Sequence, residues 1–302
     1  MKGTALALTL VLSLATLAYA QAGGGDFLIC YPNAPGSARS AEPIMSRLGQ
    51  FLSDRLGRGV KTHYFNALEP GAAWLEDHSP SAGILSLSLY LRWHEKKGLE
   101  ALAHAERGGS SQEQYRLLVK KDSGHEALAD LLKLERPARI WSAHLDDPRF
   151  TTNVVFEGKL KVEGVLRDKV LTPAFKGGQV RVVSTTRALS VLRRLQRGQD
   201  YKGEPIDAVM VSETVWEGLQ QLKRYKGVFR VLYTSKTLPT PPVVRFKEGD
   251  QEQAQALAKV LTSMKSDTEG AAIMKSLQVS AFTAPQTKRL AELVKLYEAK
   301  VE

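Results

Sequence analysis

The sequence predicts an α/β fold, with parallel strands linked by crossover helices. Short apolar runs of strand length alternate along the chain with stretches whose apolar residues recur at helical spacing. Glycine, proline, serine and asparagine gather between them, where the chain must turn. Strand, helix and strand in succession is the unit of a parallel sheet with helices on its faces. At 43% hydrophobic and 25% charged residues the composition is that of a globular protein, which excludes disordered and collagen-like classes.

The first element is a targeting segment. Lys2 precedes an apolar run from Ala5 to Leu17, and Ala18-Tyr19-Ala20 stands before Gln21. This layout predicts a secretory signal over 1–20, cleaved after Ala20. The run is shorter than the roughly 20 residues a spanning helix needs. Cys30 lies too far past it to be a lipidated cleavage point. The chain is therefore expected to be exported and soluble, and periplasmic in a cell with two membranes.

The remaining elements follow in order. Phe27 to Tyr31 reads as a buried strand and 32–40 as a loop. Ile44, Met45, Leu48, Phe51, Leu52 and Leu56 predict a helix over 41–56, stopped by Gly57 and Gly59. Strands are expected at 60–65 and 83–86, the second leading into a helix over 90–97. Another strand is expected at 115–119. Ser123 and Glu126 have capping-box spacing before Leu128, Leu131 and Leu132. Strands at 139–142 and 179–184 precede a helix over 185–197. A strand at 206–211, a helix from Glu213 and a strand at 228–233 follow. Pro239, Pro241 and Pro242 stiffen an extended segment, because each proline fixes φ and biases its predecessor. A strand through Val243, Val244 and Phe246 and three helical stretches complete the chain. No internal repeat is evident.

Charge and motifs narrow the function. The net charge is +10, and residues 121–238 hold 21 basic against 14 acidic side chains, or +7. The basic residues lie along helix faces, as at Arg193, Arg194 and Arg197, without the interleaved aromatics of a strand-binding groove. With export, this argues against nucleic acid. Cys30 is the only cysteine, so neither an intrachain disulfide nor a cysteine-pair zinc site can form. No phosphate loop or nucleophile elbow occurs, and the six histidines are scattered. No enzyme, metal site or cofactor is expected.

The sequence does place hydroxyl groups where strands meet helices. They are Tyr31 with Ser37 and Arg39; Ser86, Ser88 and Tyr90; Ser142 and His144; and Ser184, Thr185 and Thr186 with Arg187. Ligands of open α/β sheets bind outside the carboxyl ends of strands. Helix N-termini there favour anions. Serine and threonine are also the ordinary N-caps. The grouping at four strand ends makes this a candidate ligand-binding site.

In this order the segments resemble the periplasmic substrate-binding proteins of phosphate, phosphite and phosphonate ABC transporters, the PhnD-like members of the type II periplasmic binding proteins. The resemblance covers about residues 27–282. It is carried by "YRLLVKKDSGHEALADLL" from Tyr115, by "VVSTTRALSVLRRLQRG" with "IDAVMVSE", and by "FRVLYTSKTLPTPPVV". It implies two lobes with a ligand cleft between them and two crossing hinge strands. The 115–119 strand would leave the first lobe and the 239–246 segment return to it. Lobe 1 is then 22–120 plus 239–302, and lobe 2 is 121–238. It also implies a small anionic or zwitterionic ligand, phosphonate-like or phosphate-like, and an acidic contact at Glu213 or Ser212. The partner is an ABC transporter permease or, alternatively, a membrane sensor kinase, and the chain is expected as a monomer. One stretch departs from the family's Ser/Thr-rich, glycine-containing turn: Ser142 to Pro148 carries Asp146 and Asp147, which would repel an anion unless they point away.

Overall fold

The computed structural model describes residues 25–31, 38–167, 170–185, 188–199 and 202–300. The expected export signal, Ser37, Thr186 and Arg187 lie outside the described residues. The chain begins with β1 (Gly25–Cys30), α1 (Ala38–Leu56), β2 (Val60–Phe65), α2 (Leu68–Asp77), β3 (Ala82–Leu85), α3 (Leu87–Trp93) and β4 (Glu100–Glu106). Then come β5 (Gln112–Glu113), β6 (Tyr115–Lys120), β7 (Ala138–Ser142), β8 (Val162–Arg167), β9 (Val170–Pro173) and β10 (Val180–Ser184). A 3-10 turn at Leu128–Lys133 and a π-helical segment at Phe150–Val155 interrupt this run. α4 (Ala188–Arg197), β11 (Ala208–Ser212), α5 (Glu213–Gln221) and β12 (Phe229–Thr234) follow. The chain ends with β13 (Leu238–Pro239), β14 (Pro242–Arg245), α6 (Gln251–Ser263), α7 (Thr268–Ser276), β15 (Ala281–Thr283) and α8 (Thr287–Glu298).

These strands form two large mixed sheets. The first has the order β15-β4-β14-β3-β1-β2 and the second β12-β6-β11-β7-β10-β8-β9. The sheets are not wholly parallel, as the sequence had suggested. β1 is parallel to β2 and β3, but β14 is antiparallel to β3 and β4. The reason is connectivity: β14 enters straight from the other half of the molecule with no crossover helix behind it. In the second sheet β6 is antiparallel to both β11 and β12 for the same reason.

Two extended segments cross between the sheets and pair with each other. β13 is antiparallel to β5, with Leu238 opposite Glu113 and Pro239 opposite Gln112. The crossing therefore precedes Tyr115. The 115–119 strand, expected to leave the first half, lies wholly in the second sheet. Ser235 fastens the return: its N–H donates to Tyr115 O at 2.9 Å and its Oγ accepts from Tyr115 N at 3.0 Å.

Burial explains the strand signal. Along β1, Phe27 and Ile29 enter one apolar cluster with α1, α6 and α7, while Leu28 and Cys30 enter another with α2, α3 and α8. A strand covered on both faces reads as an unbroken apolar run. Two local expectations change. Ser123 does not start a capped α-helix, because Gly124 turns with positive φ and Asp130 accepts from the N–H groups of Glu126 and Ala127 at 2.8 and 2.9 Å. α3 starts three residues earlier than expected, because Ser86 Oγ accepts from Leu89 N at 3.2 Å and caps it at the strand end. No described helix is long and apolar enough to cross a membrane.

Candidate functional site

The site is assembled from strand ends of both sheets. Tyr31 follows β1, and its N–H donates to Phe65 O at 3.1 Å. Ser86 follows β3, and its N–H donates to Cys30 O at 2.9 Å, which sets the two side by side. The hydroxyls of Ser86 and Ser88 share a hydrogen bond of 3.0 Å. From the second sheet, β7 ends at Ser142, whose Oγ accepts from His144 N at 2.9 Å. That bond turns the His144 ring back toward β6, where it stacks on Tyr115 with centroids 5.2 Å apart.

Tyr31, Ser86, Ser88 and His144 line one small cavity of about 20 Å³, together with Glu113 and Asp146. Tyr31, Glu113 and His144 also line a larger cavity of about 710 Å³ beside the crossing pair, with Arg107, Glu213 and Thr240. The two cavities share Tyr31, Glu113 and His144, so the space between the sheets is wide beside the crossing pair and narrow where Ser86 and Ser88 stand.

Its electrostatics are set by burial. The Arg107 guanidinium lies 4.0 Å from the Tyr31 ring centroid, a cation–π distance, and its buried Nε has no hydrogen-bond partner among the described residues. Tyr115 OH donates to Glu113 Oε1 at 2.6 Å. Burial raises the Glu113 carboxyl above its ordinary range, and burial pushes Asp146 up to about 7. Burial, then the nearby Arg107 charge, holds the His144 imidazole below its usual range. The Tyr31 and Tyr115 phenols are raised by burial, so they remain neutral donors. The Cys30 thiol at the back of the site is buried and raised by desolvation, which removes its nucleophilic form. The set offers neutral hydroxyl donors, a neutral imidazole and one guanidinium. Burial disfavours the charged form of both inner carboxyls, Glu113 and Asp146, which weakens their repulsion of an anion.

The two aspartates that depart from the family turn have different fates. Asp147 points away: its Oδ1 accepts from Phe150 N at 2.8 Å and its Oδ2 from Tyr297 OH at 3.1 Å. Asp146 faces the small cavity; neither of its oxygens has a hydrogen-bond partner, and its nearest cation is Arg167 at 3.6 Å.

The other expected residues are dispersed. Glu213 reaches the larger cavity but is ion-paired with Arg116, which also donates to Thr234 Oγ1 at 2.6 Å. Ser142 and Thr185 sit at neighbouring strand ends behind His144, with Thr185 N donating to Ser142 O at 3.0 Å. Arg39 is exposed on the first turn of α1. Tyr90 is buried inside α3, edge-on to His94 with centroids 5.3 Å apart, because the early start of α3 carries it away from the strand end. Sequence reasoning missed Arg107 and Glu113. Arg107 follows β4, where Ala101, Ala103 and Ala105 alternate inward. That alternation was the available signal, and alanine's poor strand propensity hid it. Among the described residues no three His, Cys, Asp or Glu side chains converge as metal ligands.

Comparison with known proteins agrees with this architecture. A family model, described as the periplasmic phosphonate substrate-binding protein of ABC transporters, matches residues 36–290. No curated protein sequence matches the chain. A Xanthomonas citri protein solved with ATP bound superposes with a TM-score of 0.68 at 16% identity, covering 91% of this chain and 98% of that one. A binding protein component of an ABC phosphonate transporter from Pseudomonas aeruginosa gives 0.63 at 16% identity, covering 90% and 84%. PhnD1 of Prochlorococcus marinus in complex with methylphosphonate gives 0.59 at 12% identity, covering 90% and 96%. At these identities the structural likeness is one of fold, a pair of α/β halves.

Proposed function

Because the chain belongs to the periplasmic substrate-binding proteins of phosphonate ABC transporters, we propose that it captures a small anionic or zwitterionic solute between its two sheets. The ligand is phosphonate-like or phosphate-like and is handed to a membrane permease. Capture is by hydrogen bonds and charge, with no covalent step. The observation that carries this reading is convergence: Tyr31, Ser86 and Ser88 come from the first half, His144 from the second, and all four line one cavity. Arg107 beside Tyr31 supplies the positive charge. The capped N-terminus of α3 adds backbone N–H groups and a favourable dipole. The two sheets act as lobes that move about the paired β5 and β13, so the interlobe space opens to admit the ligand. The segment ending at Ala20 directs the chain to the periplasm, where it works as a monomer without nucleic acid.

Thermal unfolding with methylphosphonate, phosphate and methanesulfonate tests this. A true ligand at a hundred times its Kd adds about 2.7 kcal/mol of stability, read as a rise in Tm that Arg107→Ala removes. No rise with any of the three, or a rise that Arg107→Ala leaves intact, rejects the reading.

A further inference from the structure

A separate cavity of about 580 Å³ lies where α2, α3 and α8 face β8, β9 and the 146–149 loop. It shares no lining residue with the larger interlobe cavity and only Asp146 with the small one. We infer that this cavity is a second anion site, and that it takes a small organic carboxylate with an apolar body.

The charges of its lining decide the sign of the ligand. Three guanidiniums line the cavity: Arg92 from α3, Arg149 from the loop and Arg167 from β8. Three carboxyls line it too, and none offers a free negative charge. Glu69 is ion-paired with Arg92 at 3.6 Å. Asp146 is ion-paired with Arg167 at 3.6 Å, and both of its oxygens are closed off from the cavity surface. Asp147 is turned inward, accepting from Phe150 N and Tyr297 OH. Burial disfavours the charged form of both aspartates. Arg149 is what remains. It is exposed, it forms no ion pair among the described residues, and its guanidinium lies 5.7 Å from the Tyr297 ring centroid. Both partners of the Glu69–Arg92 pair are exposed, and such a pair contributes little, so Arg92 is free to turn to a bound anion.

The wall opposite these charges is apolar. Val165, Val170, Pro173 and Phe175 come from the β8–β9 hairpin and the residues just after it, and Val170 is 67% exposed. That leaves apolar surface in water, which the body of a ligand would cover. A cavity of this size with an apolar wall and a few convergent polar groups is the usual form of a small-molecule site. The carboxylate sits on Arg149, whose planar fork suits it, and Arg92 and Arg167 add to the positive field. The apolar body lies on Val165 and Phe175. An ammonium group finds no receiver here, which excludes amines and zwitterions, and a bare anion leaves the apolar wall wet.

The experiment is calorimetric titration of the full chain with 3-phenylpropanoate, its neutral amide, and acetate. 3-Phenylpropanoate is expected to bind. The amide lacks the charge and acetate lacks the body, so each should bind about tenfold more weakly or worse. Arg149→Ala should cost about tenfold as well, and Arg149→Lys, which keeps the charge, should cost less. Arg149 is exposed, so its variants keep the fold, and circular dichroism checks this. Lack of 3-phenylpropanoate binding, equal binding of the amide or of acetate, or binding unchanged in Arg149→Ala overturns the proposal. Arg107→Ala separates this site from the interlobe one. 3-Phenylpropanoate binding should survive that change, and its loss would place the anion beside Tyr31 and overturn the second site. The methylphosphonate response has the converse dependence, lost in Arg107→Ala and kept in Arg149→Ala, so failure of either reading is seen apart from the other.

Discussion

Asp146 is the side chain whose surroundings differ most from water. Its carboxyl is pushed up to about 7, against about 4 for the unfolded chain. Folding therefore favours the protonated form. The stability linked to that preference is fully present below about pH 4 and is lost as pH rises through 7. Asp146→Asn imitates the neutral acid at every pH. Thermal unfolding should show the variant more stable than the parent at pH 8, by on the order of 1–3 kcal/mol, and nearly equal to it at pH 3.5. The same shift at both values would sink this account. His144 has the opposite sign: its depressed imidazole contributes stability above about pH 6.5 that is lost as pH falls. Among the described residues, Arg107 is the cation that lies over Tyr31 and lines the larger cavity.

At the scale of the element, the site depends on how closely β3 lies against β1. A Cβ at Gly83 would come within 2.7 Å of Leu28 O, a backbone atom that cannot swing aside. The same pairing delivers Ser86 to the end of β1 beside Tyr31. Gly83→Ala is expected to cost about 1–3 kcal/mol in urea unfolding and to weaken the methylphosphonate response. Full stability in the variant would show that the strands can part without loss. α8 is seated by a different device. Asn153 Nδ2, in the π-helical segment, donates to the carbonyls of Tyr297 and Ala299 at 2.9 Å each. Those bonds satisfy backbone acceptors at the end of the helix, which has no further turn to supply donors.

For the whole molecule, the two sheets are not independent bodies. A single apolar cluster takes Leu28 and Leu85 from the first sheet and Ile140, Val180 and Val182 from the second. Phe150, Val154, Leu290 and Leu293 belong to the same cluster. Separating the halves entirely would expose that shared core. Calorimetry should accordingly record one unfolding transition whose calorimetric and van't Hoff enthalpies agree. Two resolved transitions would show that each half holds alone. The excess charge divides less evenly, since +7 of it lies within residues 121–238. An uneven positive field of this kind bears on ligand steering and docking, and not on the fold.

What was legible in the sequence was local. β1 could be read from its apolar run and α1 and α6 from helical spacing, while α3 was expected three residues late because its cap at Ser86 went unassigned. A residue's own neighbours determine those features, through burial on one or two faces and through free N–H groups at a helix start. The family resemblance added the two-halved plan. The tertiary structure alone decided which strand ends meet. It set Tyr31 and Ser86 against His144, engaged Glu213 with Arg116, and moved Tyr90 into packing. It separated Asp147, held by Tyr297 from 150 residues away, from Asp146, left facing the cavity. Periodicity reports which face of an element is buried. It carries no information about what another element brings to that face, and here that partner arrives through the pairing of β5 with β13 and the docking of α8.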